Sequence, residues 1–230
     1  METELREIVL DTETTGLDPA SGHRIVEIGC IELINHIPSG NTWHQYVNPE
    51  RDMPEKAFEV HGLSSEYLAD FPVFDKIAEG FVNFIGDSLM VIHNAEFDMK
   101  FINAELGLSG LPSLPMSQSI DTVAMARRKF PGAPASLDAL CKRFQIDNSN
   151  RTLHGALLDA ELLADVYLEL IGGRQRGLEL GSDNKGAGIS ETPEAKTGTL
   201  YPQRTFPVPA DEERAHDAFM AKIADPIWNA

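Results

Sequence analysis

No stretch of this chain approaches the ~18 consecutive apolar residues that a membrane-spanning helix needs. The N-terminal segment METELREIVL has no basic cluster followed by an apolar run, so no secretion signal is expected. There are only two cysteines in 230 residues, Cys30 and Cys141, and each sits within an apolar pattern. Buried reduced thiols are expected there, not a disulfide framework. A cytoplasmic protein is the expectation that follows. No cysteine cluster and no pair of histidines at zinc spacing is present, which excludes the usual structural zinc sites. No internal repeat is present, so solenoids and propellers are excluded as well.

Positive charge is also scarce, with 19 Lys and Arg against 36 Asp and Glu and a net charge of −17. The imbalance lies in residues 1–173, with 12 basic and 27 acidic groups; residues 174–230 carry 7 and 9. An acidic domain repels long nucleic acid unless bound cations or a tethering partner offset the charge. Such a domain is still compatible with a small site that grips one or two monomers of a polyanion.

What the chain does have is enough length for one sizeable domain plus an extension. Residues 6–12 read as a buried strand, Arg24 to Ile34 as a second and Thr42 to Val47 as a third. Ser39-Gly40-Asn41 is the turn signal between the last two. Helical spacing over Val73 to Ile85 precedes a short strand, Ser88 to His93, and a helix from about Ala95 to Leu106. Ser119 to Thr122 reads as a short fifth strand. Helices are expected at Val123–Lys129, Leu137–Phe144 and Gly155–Ile171. Strands first, then strands alternating with helices, predict an α/β fold with a mixed sheet, an antiparallel meander plus parallel strands, covered by helices. Gly172-Gly173 ends the last of these helices. From Ser182 to about Pro209 the chain is rich in Gly, Pro, Ser, Thr and Lys, so a flexible linker is expected within 174–209. Helical character resumes from Ala210 to Ala224, with Phe219, Met220 and Ile223 on one face.

Four carboxylates and one histidine stand out. Asp11 and Glu13 are two apart on the first strand and point to one face. Side-by-side carboxylates repel, and a fold keeps such a pair mainly where a cation neutralises it. The uncharged Thr12, Thr14 and Thr15 supply no counter-ion. Asp98 lies just after a strand, on a helix, in VIHNAEFDMKF; His154 and Asp159 lie in LHGALLDAELLADVY. An all-oxygen ligand set of Asp11, Glu13, Asp98 and Asp159 selects Mg²⁺ or Mn²⁺. Two such ions a few ångströms apart suit in-line phosphoryl displacement. An imidazole with an ordinary pKa of ~6.5 is able to take the proton of an attacking water, the role assigned to His154.

DTETTG, HNAEFD, SLDALC (Ser136 to Cys141) and HGALLDA, in this order and spacing, resemble the DEDDh group of 3′→5′ exonucleases over about residues 5–173. The resemblance implies an RNase H-like fold over residues 1–173. It also implies metal ligands at Asp11, Glu13, Asp98 and Asp159, a general base at His154, and release of deoxynucleoside 5′-monophosphates from a 3′ end. Asp11, Glu13 and Asp159 would then contact the substrate together with Thr14, in the Thr14-Thr15-Gly16-Leu17 turn, and with His61; His93 and Asn94 would line the pocket. Family members often carry an acid five residues before the equivalent of His61. Lys56 stands there, beside Glu55, and that contact is left unassigned.

The tail narrows the resemblance to the proofreading members of the family, which are subunits of a DNA-directed DNA polymerase. Gln175, Leu178 and Leu180 resemble the short Gln-x-x-Leu-x-hydrophobic peptides that dock into a sliding clamp. The terminal segment 210–230, with Phe219, Ile223 and Trp228, resembles the segment that binds the polymerase alpha subunit. A small stabilising subunit is a further partner such members have. Two rival readings differ in class: an exoribonuclease that trims tRNA or degrades oligoribonucleotides, and an adaptor that mainly links polymerase to clamp.

Overall fold

A computed structural model describes residues 4–151, 153–173 and 209–222. The chain divides into two units, Met1–Leu180 and Gly181–Ala230. In the first, a five-stranded sheet has the order β3-β2-β1-β4-β5, with β1 at Arg6–Thr14, β2 at Ile25–Ile34, β3 at Ile37–Tyr46, β4 at Leu89–Ile92 and β5 at Ser119–Asp121. β1, β2 and β3 are antiparallel neighbours, while β4 runs parallel to β1 and β5 parallel to β4.

The period-two alternation of the strands sorts their side chains between two helical layers. Ile8 and Leu10 of β1, with Met90 and Ile92 of β4, pack with Phe74, Phe81, Phe101 and Ile102. These last four belong to α3 (Phe74–Ile85) and α4 (Ala95–Leu108). Val9 and Val91 point the other way, into a second core with Leu140, Leu163 and Val166. That layer is built from α5 (Thr122–Lys129), α6 (Leu137–Phe144) and α7 (Ala156–Leu170). With both faces covered, Ile8-Val9-Leu10 is continuously apolar, as a strand buried on both sides must be. Cys30 and Cys141 are buried free thiols.

The hairpin between β2 and β3 turns at Asn35-His36, not at Ser39-Gly40-Asn41 as the turn signal suggested. Both residues have positive φ (52° and 68°), the conformation of a two-residue turn whose twist matches the strands. Asn tolerates that region, and its side chain is held because Asn35 Oδ1 accepts from Leu5 N at 3.1 Å. Ser39, Gly40 and Asn41 lie inside β3, beside a register irregularity between Ile31 and Leu33. Two helices lie between β3 and α3 where none was expected: α1 (Glu55–His61) and α2 (Ser65–Leu68), the latter capped by Ser64 Oγ accepting from Tyr67 N.

In the second unit, α8 spans Ala210–Met220 with Asp211, Glu212 and Glu213 in its first turn, where the backbone dipole favours acids. Phe219 is exposed. Residues 174–208, with Gln175, Leu178 and Leu180, and residues 223–230, with Ile223 and Trp228, lie outside the described residues. Among the described residues no helix is long and apolar enough to cross a membrane.

Candidate active site

The carboxyl ends of β1 and β4 open on one cleft, the position where α/β sheets commonly bind ligands. β1 contributes Asp11, Thr12 and Glu13; His93 and Asp98 come from the β4–α4 junction, and Ser136 and Asp138 from the start of α6. Arg151, His154 and Asp159 complete the wall from the approach to α7 and from its first turn. Three segments distant in sequence therefore bring all four predicted ligands and the predicted base to one place. Ligand atoms of Glu13, His154 and Asp159 lie within 4.8 Å of one another.

Each side chain is held by its element. Asp11 and Glu13 follow Val9 on the α7 face of β1. Thr12 follows Ile8 and Leu10 on the α4 face, where its Oγ1 donates to Asp98 Oδ1 at 2.7 Å. α4 begins abruptly because Asn94 takes a left-handed conformation (φ 70°) and its backbone N donates to Asp121 Oδ1. α7 approaches the sheet at Gly29, the β2 partner of Asp11. The loop before α7 is tied to α1 through His154 N donating to Val60 O at 3.0 Å.

The electrostatics are those of a crowded, buried carboxylate cluster, which protons or a cation would neutralise. Desolvation and then the charge of Asp159, Glu27 and Asp98 push Glu13 up to about 8. Desolvation likewise raises Asp98 to about 7 against the opposing hydrogen bond from Thr12. Asp11 is raised well above the carboxylate range, first by desolvation and then by Asp98, Glu13 and Asp159. Buried like charges with hard oxygen donors fit a divalent oxygen-seeking ion, and they fit no thiolate-seeking one.

Among the described residues, one permanently charged base lines the cleft: Arg151, which sequence reasoning passed over. Its Nε donates to Asp159 Oδ1 at 2.6 Å and its Nη2 to Asp159 Oδ2 at 2.6 Å. Its Nη1 reaches Asp138 Oδ1 at 2.8 Å, and Nη2 also reaches His154 Nδ1 at 2.8 Å. A guanidinium only donates, so Nδ1 is the acceptor in this contact; the same atom lies 3.3 Å from Asp159 Oδ2. The one signal in the sequence was a lone base three residues before His154 in an otherwise acidic constellation.

Other predicted substrate residues lie outside the cleft lining: Thr14, His61 and Asn94. Asn94 is exposed. His61 is buried beside the Thr14 backbone, and burial lowers its pKa. Its Nδ1 accepts from Leu63 N, so the proton sits on Nε2, which has no hydrogen-bond partner among the described residues. His93 does line the cleft; its Nδ1 is 2.9 Å from Thr122 Oγ1, and burial lowers its pKa. Glu55 and Lys56 are both exposed on α1.

Comparison with known proteins gives the family and the fold. The family described as exonuclease matches residues 8–167. The DNA polymerase III subunit epsilon of Rickettsia conorii is 51% identical over 224 residues, which cover 95% of this chain and 96% of that protein. The subunit of the same name from Escherichia coli (strain K12) is 47% identical over 177 residues, 74% of this chain and 72% of that one. Among solved structures, exonuclease X in complex with 5′ overhanging duplex DNA is 28% identical with a TM-score of 0.58, covering 72% of this chain and 90% of that chain. The nuclease domain of 3′hExo, a DEDDh family member bound to rAMP, shares the fold with a TM-score of 0.63 at 19% identity, over 74% of this chain and 93% of that chain.

Proposed function

This chain belongs to the exonuclease family, that of the epsilon subunits of DNA polymerase III, and from that premise we propose that it is the 3′→5′ proofreading exonuclease of a replicative polymerase. The observation that carries the reading is the meeting of Glu13, His154 and Asp159 within 4.8 Å, in a cleft that Asp11 and Asp98 also line. Asp11, Glu13, Asp98 and Asp159 would hold two divalent ions, Mg²⁺ or Mn²⁺. Bound there, such ions acidify water and neutralise charge on the phosphate and the departing 3′ oxygen.

The chain's own groups do the rest. His154 is half exposed at the cleft, and its Nδ1, which accepts from Arg151 in this structure, would take a proton from water once that contact is released. Asp98, anchored by Thr12, and Asp159, carried by α7, fix the carboxylates against their mutual repulsion. The Nε2–H of His61, without a close hydrogen-bond partner among the described residues and with the Thr14 backbone beside it, is a donor suited to an oxygen of the terminal nucleotide.

Selection of mismatches follows from fraying. A mispaired 3′ end unstacks at less than the few kcal/mol a paired base requires, so it reaches a small site more often. The net charge of −15 on residues 1–173 makes intrinsic affinity for DNA weak, and tethering would replace it. Segment 210–230 is proposed to bind the polymerase alpha subunit, and Gln175, Leu178 and Leu180 to bind a sliding clamp, each raising local concentration at the primer end.

The test is hydrolysis of 3′-labelled single-stranded DNA by the full chain with Mg²⁺ or Mn²⁺, run beside RNA of the same sequence. Release of deoxynucleoside 5′-monophosphates is expected, with DNA preferred. Glu13→Ala and His154→Ala should lose about 10²-fold or more in rate while still co-purifying with the polymerase. A clear preference for RNA would turn the reading to an exoribonuclease. Full hydrolysis by both variants would refute the site.

A further inference from the structure

We propose that Arg151 is an exchangeable counter-cation of the carboxylate cluster, competing with divalent ions for Asp159 and so setting how readily the site loads. The inference rests on the exonuclease reading of the cleft.

The geometry behind it is specific. The Arg151 side chain is only 8% exposed, and its fork spans both oxygens of Asp159 at 2.6 Å each. A carboxylate so engaged has its best lone pairs committed to the guanidinium. The same Nη2 also occupies His154 Nδ1, the atom assigned to accept the proton. One side chain thus covers a ligand and the base together, and its planar fork matches the carboxylate in a way a lysine ammonium would not.

Arg151 has a second anchor that would survive its departure. Nη1 pairs at 2.8 Å with Asp138, whose side chain is 62% exposed at the start of α6. Releasing Asp159 would free the ligand and His154 Nδ1 in one movement, while Asp138 holds the guanidinium at the rim of the cleft. Asp138 contacts Arg151 in the capped arrangement and would keep that contact in the loaded one, so it tethers the guanidinium without deciding between the two, while Asp159 favours the capped one.

Calorimetric titration of Mn²⁺ into the full chain tests this, with Glu13→Ala as the control for binding at the site. Arg151→Ala should bind Mn²⁺ about tenfold more tightly, which is about 1.4 kcal/mol in the competition for Asp159. Arg151→Lys keeps the charge but loses the fork, and it too should bind more tightly than the parent. Arg151→Ala and Arg151→Lys binding Mn²⁺ no better than the parent would overturn the proposal, since Arg151 would then support Asp159 and not compete for it. Parental affinity in Arg151→Lys beside tighter binding in Arg151→Ala would uphold the counter-cation and assign the competition to its charge, not to its fork. A parent that binds no Mn²⁺ sensitive to Glu13→Ala would instead bring down the site reading itself.

Discussion

Gly29 of β2 lies so close to Ala156 at the start of α7 that a Cβ placed on it would fall 2.4 Å from the Ala156 carbonyl carbon and 2.4 Å from Leu157 N. No real Cβ tolerates such a contact with backbone. The missing side chain lets the first turn of α7 rest on the sheet directly beside Asp11, the β1 partner of Gly29. Asp159 is carried on that same turn and reaches Glu13 only because the helix sits this low.

Gly29→Ala should therefore lift the start of α7 and separate Asp159 from Glu13. Overpacking of this kind costs about 1–3 kcal/mol. The expected result is a folded protein of lowered Tm whose Mn²⁺ affinity and hydrolysis rate both fall well below those of the parent. Unchanged metal affinity in a soluble Gly29→Ala protein would show that the helix does not depend on this contact.

A second relation holds the sheet to α4. Arg24 donates through Nε and Nη2 to the two oxygens of Glu105 at 2.7 and 2.8 Å, and Ile25 N donates to Glu105 Oε1. Glu105 is buried, so removing only its cation leaves a charge without compensation. With Arg24 only part-buried and Ile25 N still donating to Glu105, Arg24→Ala should cost about 2–3 kcal/mol, below the value for a fully buried pair, read as a lower midpoint in urea at unchanged slope. The double replacement Arg24→Met with Glu105→Leu should recover most of the loss, because apolar packing removes the charge as well as its partner. If the double variant is as unstable as the single, the pair is not acting as an isolated buried salt bridge.

These contacts mark where sequence reading works and where it stops. The alternation of Ile8, Val9 and Leu10 between two cores, and the shared face of Asp11 and Glu13, are local consequences of strand geometry. α6 spans Leu137–Phe144, the range its periodicity predicts. The hairpin turn at Asn35-His36 was missed because neither residue is glycine, while Ser-Gly-Asn four residues on is the stronger local signal. α1 escaped because it is short and leaves Phe58 and Val60 exposed, so no apolar stripe marks it. Arg151 carried no periodic signal at all: its meaning lies in a contact with Asp159 and Asp138 that only the packing of α6 against α7 creates.

The proposed division of labour along the chain is open to truncation. Removing residues 210–230 should abolish binding to the polymerase alpha subunit while leaving hydrolysis of single-stranded DNA near the parental rate, since every residue of the cleft lies between Asp11 and Asp159. Tethering supplies local concentration and no catalytic group. Co-purification and a single-strand nuclease assay on the same preparation check it, and tight polymerase binding by the truncated chain would place the anchor elsewhere.

The raised carboxylates make stability depend on pH and on divalent ions together. Glu13 titrates near 8, Asp98 near 7 and Asp11 well above its ordinary range in the folded protein, against about 4 when the chain is unfolded. Between those limits the folded state binds more protons than the unfolded state, so stability falls as pH rises. The contribution of these groups is complete below about pH 4 and is lost as pH climbs through 7 and 8. In a chelator, Tm should drop between pH 6 and 8.5 by roughly 5–10 °C, at about 2–4 °C per kcal/mol for a domain of this size. A divalent ion takes over the neutralising role of the protons, so the gain in Tm on adding Mn²⁺ should be small at pH 6 and largest at pH 8.5. Glu13→Gln, which removes one of the repelling charges, should flatten the chelator profile and shrink the Mn²⁺ gain. A Tm that is level across this range in chelator, with the same Mn²⁺ increment at both ends, would mean that these carboxylates do not repel one another as their burial requires.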